Sequence, residues 1–460
     1  MKSQTVDLNL IRKYDVSAPR YTSYPPATRF TDDVGPQTVL ERVAAHQRDA
    51  GELSLYFHLP FCRSLCWYCG CANVITSDHS AAQKYISYLD REITLLKPVL
   101  DPRRQVVQIH LGGGTPTYFQ PEEIRALGHL IRHHFNVSPA MEGSVEIDPR
   151  TLSLGHVSAL TDCGFRRVSI GVQDFDPDVQ AAIHRVQPIE FTEHAVMLFR
   201  QAGFTSINFD LIYGLPHQTP ASFGRTLDSV IEMNPDRLAV FGYAHVPWLR
   251  PAQRLLTELP AAKARLTLFK LAVEKLTAAG YICIGLDHFA KPHDPLAIAQ
   301  AAGELHRNFQ GYTTCPDADI HAFGMSSISQ ADGTYWQNEK ELDAYYAALD
   351  AGHLPVTRGF ILGMDDKLRR TTIVRLMCDM KLDFNAMSEM LGIGFTDYFA
   401  KEILSLQGLA RDGLLTMSHD GIEVTPVGRL LIRNIAMRFD AAPPAISAAR
   451  TARPQFSKSI

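Results

Sequence analysis

The stretch LSLYFHLPFCRSLCWYCGC (Leu53–Cys71) decides how this chain is read. Its first half is an apolar run of strand length that stops at Pro60, a residue that cannot continue a ladder of hydrogen bonds. Its second half sets Cys62, Cys66, Cys69 and Cys71 within ten residues, whereas Cys163, Cys283, Cys315 and Cys378 are scattered. A secreted disulfide framework is small and cysteine-dense, and 460 residues with eight cysteines is neither. The scattered four are read as inert, buried thiols.

Outward from this stretch the chain alternates. Strand-like runs occupy Leu53–Pro60, Gln105–Leu111, Gly143–Asp148, Arg166–Gln173, Ser206–Leu215 and Arg237–Val246. Between them, apolar residues recur at helical spacing over Ala81–Leu100, Pro121–Phe135, Ile189–Gly203 and Pro220–Asn234. Six such alternations predict an α/β fold with a parallel sheet and helical crossovers. Runs apolar on both faces suit that sheet. A seventh strand is expected at Tyr281–Phe289, after a helix over Ala262–Gly280. In such sheets functional groups gather where strands end. The ends here carry His58, Gly112–Thr115, Glu146, Gln173, Asp210, Tyr243 and His245.

The flanks differ. Residues 1–50 read as an arm, with the extended, Pro-rich piece Ala18–Pro26. From Asp365 the spacing predicts helices over Leu368–Leu382 and Asp397–Gln407. A hairpin over Gly413–Thr425 with Asp420-Gly421 at its turn, and a helix over Pro426–Phe439, complete a small, mostly helical, winged-helix-like module. The expected domains are therefore 1–50, 51–364, 365–440 and a flexible tail over 441–460. A balance of 45 basic against 49 acidic residues, net −4, argues against nucleic acid as the partner. The absence of an apolar run of membrane-spanning length, or of a signal peptide in the opening residues, leads us to expect a cytoplasmic protein.

The cysteine spacing carries the chemistry. Structural zinc sites take separated pairs of ligands, and no distant second Cys-x-x-Cys pair exists here. Thiolates this close suit one compact iron–sulfur cluster. Three of them would leave one iron open, which a catalytic cluster needs. Leu65, Trp67 and Tyr68 could cover it and tune its potential.

The Cys-x3-Cys-x2-Cys signature after a first strand resembles that of the radical S-adenosylmethionine enzymes. Within them, YxHxPFCxxxCxYCxC (Tyr56–Cys71), RYTSYP (Arg20–Pro25), GGGTPT (Gly112–Thr117), EIDP (Glu146–Pro149), GVQDF (Gly171–Phe175), DLIYGLP (Asp210–Pro216), HRNFQGYTT (His306–Thr314) and GRLLIRNI (Gly428–Ile435) are similar to the oxygen-independent coproporphyrinogen III oxidases. These motifs span nearly the whole chain. Heme-trafficking relatives resemble the central region but usually lack both Cys71 and the arm, so the oxidase is favoured over such a paralogue.

The resemblance implies a partial (β/α)6, TIM-like barrel. It implies a 4Fe–4S cluster on Cys62, Cys66 and Cys69. S-adenosylmethionine would lie against Tyr56, Tyr68, Gly113, Glu146 and Ile328, with a second molecule near Gly114, Thr115, Gln173, Arg185, Asp210 and Ala244. Reductive cleavage would give a 5′-deoxyadenosyl radical that takes hydrogen from a substrate propionate. Repeated at a second propionate, the reaction turns coproporphyrinogen III into protoporphyrinogen IX. Cys71 and Tyr56 are the residues it sets nearest to catalysis, Cys71 as a further ligand, a plain thiol or a participant. Read without the family, Glu146 and Asp210 are equally well satisfied buried carboxylates, Arg185 a surface ion pair, and the glycines a tight turn. Arg20, His58, His245, His288 and Arg307 are candidates for the substrate's carboxylates, with Tyr14 and Tyr24 in a lid. A low-potential donor such as flavodoxin or ferredoxin is implied, and a monomer suffices.

Overall fold

The computed structural model describes residues 8–16, 24–46, 51–316 and 318–441. Arg20, most of the RYTSYP motif and the expected tail lie outside the described residues. Contacts divide the chain into two units interleaved along the sequence. One comprises Ala27–Asp210 and Asp317–Leu362; the other comprises residues up to Pro26, Leu211–Pro316 and Gly363 onward. Apart from the line near 363, the linear boundaries expected above are not those along which contacts divide.

In the first unit, strands β1 (Leu53–Leu59), β2 (Gln105–Gly113), β3 (Asn136–Ile147) and β4 (Phe165–Gln173) lie side by side in chain order. β1 pairs with β2, β2 with β3 and β3 with β4, each parallel. β5 (Ser206–Tyr213) follows β4 and straddles the division of units at Asp210. Helices α1 (Ser80–Leu96), α2 (Pro121–His134), α3 (Leu154–Asp162) and α4 (Ile189–Gln201) make the crossovers that parallel pairing requires. β1 is central: Leu55, Phe57 and Leu59 on one face and Ser54 and His58 on the other are buried, as in a strand covered on both faces. α2 starts where expected because Gln120 and Glu123 form a capping box around Pro121.

The sheet also extends beyond the other edge of β1, which was not foreseen. Asp319–Phe323 pairs parallel with β1, then Ile328–Ala331, Thr334–Asn338 and Val356–Ile361 follow antiparallel. A signal was present. Asp332-Gly333 separates two of these strands by two residues, both at positive φ (44° and 65°), the hairpin turn that Asp-Gly favours.

In the second unit, β6 (Arg237–Gly242) follows the end of β5. The expected single strand at Tyr281–Phe289 is instead a hairpin, Ile282–Gly285 with His288–Ala290, antiparallel to β6. Gly285 at φ 148° and Leu286 at φ 55° turn the chain back. The C-terminal module has the expected hairpin, Leu415–Met417 with Gly421–Val424, joined by Lys381–Asp383. Its helices are more broken than periodicity implied. The stretch 397–407 falls into three short helices that turn at Phe399 and Leu406, both fully buried. The run from Pro426 divides at Leu431, and all of Ile432–Ala436 is buried.

Candidate active site

The cysteine loop hangs from the end of β1, within the first unit. Phe61–Cys62 pairs parallel with Val74–Ile75, so the loop begins and ends on one short ladder. Cys69 N–H donates to the Cys66 carbonyl at 3.0 Å, and Trp67 N–H to the Ile183 carbonyl at 3.1 Å. His184, held at φ 55°, stacks on Trp67 with ring centroids 5.2 Å apart and sets Nδ1 2.9 Å from the Leu65 carbonyl. Cys66 is buried, Cys62 and Cys69 are half-buried, and Cys71 is exposed.

The end of β2 presses on this loop. Gly114 N–H donates to the Leu59 carbonyl (2.8 Å) and Thr115 N–H to that of Phe61 (3.0 Å). A Cβ on Gly114 would stand 2.4 Å from the Pro60 oxygen, and one on Gly113 (φ 114°) 2.8 Å from the His58 ring. Only glycine permits this approach. His58 sits beneath it. Its Nε2 is 2.8 Å from the Ala72 carbonyl and its Nδ1 3.2 Å from the Tyr56 hydroxyl. Burial pushes its pKa down, so the ring is neutral. His58 thus holds the loop and is not the anion site expected of it.

Loop, glycines and strand ends enclose a cavity of about 390 Å³. Cys62, Cys66, Tyr68, Cys69 and Cys71 line it from the loop, and Gly113, Gly114 and Thr115 from β2. Glu146, Gln173, Arg185 and Asp210, also expected, line it too. Tyr56 and Ile328 are not among its lining residues, and Ala244 belongs to the other unit. Tyr56 instead stacks on His110, centroids 5.6 Å apart. His245, His288 and Arg307, with Tyr14 and Tyr24, also belong to the other unit. There Arg307 lies over the Tyr312 ring at 4.5 Å.

The carboxylates are held differently. Glu146 accepts from Gly113 N–H and faces His110 Nε2, each at 3.3 Å. Burial raises its pKa, but the His110 and Gly113 contacts outweigh this and keep it ionised. Asp210 accepts from Ser169 Oγ (2.8 Å) and Asn208 Nδ2 (2.9 Å), yet burial dominates and pushes it up to about 6. Gln173 ends β4 in the left-handed region at φ 65°, a conformation uncommon outside glycine.

Among the lining residues that sequence reasoning did not single out are Asp148 and Arg150. Arg150 grips Asp148 as a fork, with Nη2 at 2.6 Å, and Arg185 Nη1 reaches the same carboxylate at 3.0 Å. Burial pushes Asp148 up, but the two guanidiniums hold it below the usual carboxylate range. The signal lay in EIDPR: an Asp before Pro caps the next turn, and Asp148 accepts from Arg150 N–H.

Known proteins match this arrangement over nearly its whole length. The model of the Radical SAM superfamily matches residues 56–230, and that of the HemN C-terminal domain residues 364–431. The chain is 46% identical over 437 residues to the oxygen-independent coproporphyrinogen III oxidase of Synechocystis sp., covering 94% of each. The chain belongs to the oxygen-independent coproporphyrinogen III oxidase family. It is also 46% identical to the oxidase of Escherichia coli over 436 residues, 94% of this chain and 95% of the relative. The solved structure of coproporphyrinogen III oxidase (HemN) from Escherichia coli, described as a radical SAM enzyme, superposes with a TM-score of 0.91. The identity is 44%, covering 96% of this chain and all of that one. The oxidase family has the α/β radical SAM fold, an oxidoreductase activity, a 4Fe–4S cluster and S-adenosylmethionine.

The residues fit that cluster. Among the described residues, no three His, Cys, Asp or Glu side chains converge as ligands of one metal ion. Two sulfurs have donors suited to a thiolate. Cys66 Sγ is met by Arg185 and Arg150, and Cys69 Sγ by Cys71 N–H and Asn73 Nδ2, each at 3.4 Å. Burial and the neighbouring sulfurs push the Cys62 thiol up to about 12. It would lose its proton to a bound metal, not to water. Among the described residues no helix is long and apolar enough to cross a membrane.

Proposed function

We propose that this chain removes carbon dioxide oxidatively from two propionates of coproporphyrinogen III, without oxygen, leaving the two vinyl groups of protoporphyrinogen IX. It does so as a cytoplasmic monomer supplied with electrons by a low-potential donor such as flavodoxin or ferredoxin. The observation that carries this reading is the cavity itself, where four thiols, a glycine edge, three acids and the arginines Arg150 and Arg185 meet.

Cys62, Cys66 and Cys69 hold the 4Fe–4S cluster. When bound, cluster and S-adenosylmethionine supply one-electron cleavage of a carbon–sulfur bond, and with it the power to take hydrogen from an unactivated carbon. The chain must orient and exclude. Glu146, kept ionised, accepts from an ammonium or from ribose hydroxyls. Gly113 and Gly114 expose backbone at the cavity edge, so a ligand approaches without meeting a side chain. Arg185 presents a fixed cation to a carboxylate. Asp210, near half-ionised around pH 6, accepts from a hydroxyl or amine. Tyr68, Thr115 and Gln173 contribute the remaining wall. Tyr56 and Ile328 are ligand contacts by family resemblance, and Cys71, exposed at the end of the loop, is a further ligand, a plain thiol or a participant.

Anaerobic reconstitution with iron and sulfide, then incubation with coproporphyrinogen III, S-adenosylmethionine and dithionite, tests this. Monovinyl and divinyl products formed together with 5′-deoxyadenosine are expected. 5′-Deoxyadenosine without decarboxylated porphyrin would move the substrate elsewhere.

A further inference from the structure

The sulfurs of the cysteine loop are not equally solvated. Cys69 Sγ accepts from two neutral donors. Cys66 Sγ is met by two cations, Arg185 Nη1 at 3.6 Å and Arg150 Nη2 at 3.7 Å. Both cations share one counter-ion. Asp148 binds Arg150 through Nε at 3.0 and 3.1 Å and Nη2 at 2.6 Å, and takes Arg185 Nη1 at 3.0 Å. Two guanidiniums and one carboxylate leave a net positive charge beside this sulfur. Arg185 is otherwise occupied: its Nη2 donates to the Gly171 carbonyl at 2.8 Å and its Nε to Gln187 Oε1 at 3.2 Å. Among the described residues, the Arg150 side chain has no comparable tie beyond Asp148 and Cys66. Its fork on Asp148 fixes the plane from which Nη2 points at sulfur.

A cation and a hydrogen-bond donor at a ligand sulfur favour the state of a cluster that carries one more negative charge. We propose that Arg150, aimed by Asp148, is a positioning residue that raises the reduction potential of the cluster held through Cys66. This rests on the reading of Cys62, Cys66 and Cys69 as its ligands. The function of Arg150 is then electronic: it eases uptake of the single electron that the donor delivers.

The test compares wild type, Arg150→Gln and Arg150→Lys after reconstitution. Iron and sulfide are counted, and the cluster is titrated with dithionite through redox dyes under argon, read by electron paramagnetic resonance. Gln keeps an amide donor and loses the charge. It is expected to hold the same iron but to show about a tenfold lower ratio of reduced to oxidised cluster at a given potential, a midpoint about 59 mV more negative for one electron. Lys keeps the charge and loses the fork, and falls between. Equal midpoints in all three proteins overturn the proposal. So does loss of iron from both variants with unchanged thermal melting of the iron-free proteins, because Arg150 would then serve assembly and not potential. A wild type that takes up neither iron nor sulfide sinks the reading of the cysteines instead, which separates the two failures.

Discussion

Asp148 and Glu92 are both buried acids of the same unit, and they are held in opposite ways. Asp148, at the cavity, is gripped by two guanidiniums and stays charged. Glu92, on α1, accepts only from neutral groups: Gly324 N–H at 2.8 Å, Asn338 Nδ2 at 2.6 Å and Tyr345 Oη at 2.7 Å. Burial outweighs these bonds and pushes Glu92 up to about 7. Asn338 Nδ2 also donates to the Gly324 carbonyl and Ser327 Oγ, so the network ties α1 to the antiparallel extension of the sheet. At the clamp beside Cys66 the molecule keeps charges, paired and fixed. Where it joins its own elements it uses neutral donors and tolerates a carboxyl that readily takes a proton. Desolvation acts on both acids; only the partners differ.

That contrast can be broken at several points. The largest effect is expected at the sulfur both arginines face. If Cys66 is the cluster ligand proposed above, Cys66→Ala drops product formation to the detection limit, with iron content lowered in parallel. Next, Asp148→Ala leaves two guanidiniums without their buried counter-ion. A loss of about 3–5 kcal/mol is expected, read by denaturant unfolding of the iron-free protein. A loss below about 1 kcal/mol would show that the cations rearrange to water.

Glu92 yields a pH signature of the opposite kind. Its folded pKa is raised from 4.5 to about 7. Between these values the folded protein holds a proton that the unfolded chain has released, so stability falls as pH rises through this window. The fall is on the order of 3 kcal/mol and complete above about pH 7. Glu92→Gln cannot ionise, and the slope of melting temperature between pH 4.5 and 7 should flatten. An unchanged slope would place the titration elsewhere. The smallest effect is expected at Arg125, whose pairs with Asp162 and Glu122 lie on the surface. Arg125→Ala should cost about 0–1 kcal/mol and leave turnover unchanged.

Much of the site was legible because it is local. Cys62 to Cys71, Gly112 to Thr115 and Glu146 lie in short motifs, and chemistry that needs closely spaced thiols or absent side chains shows directly in spacing. The clamp at Asp148 was half legible: the acid is inside a motif, but its pairing with Arg185 joins residues 37 positions apart. His58 was read as an anion site because a lone histidine at a strand end looks available. Its commitment to Ala72 and Tyr56 depends on how the loop returns.

The sequence alone determined the parallel α/β core, the crossover helices and the cysteine loop, because burial on both faces of a strand and on one stripe of a helix writes a period into the residues. It did not determine where the sheet ends. The four strands between 319 and 361 are short and mixed in polarity, and what makes them strands is the free edge of β1, which Asp319–Phe323 completes. Nor did it decide that Tyr281–Phe289 folds back on itself. There Gly285 sits where a Cβ would stand 2.5 Å from Tyr312 Oη, a contact between residues distant in sequence. Periodicity reports a residue's own burial; closure, pairing and the company of a charge are set by neighbours that only the tertiary fold brings together.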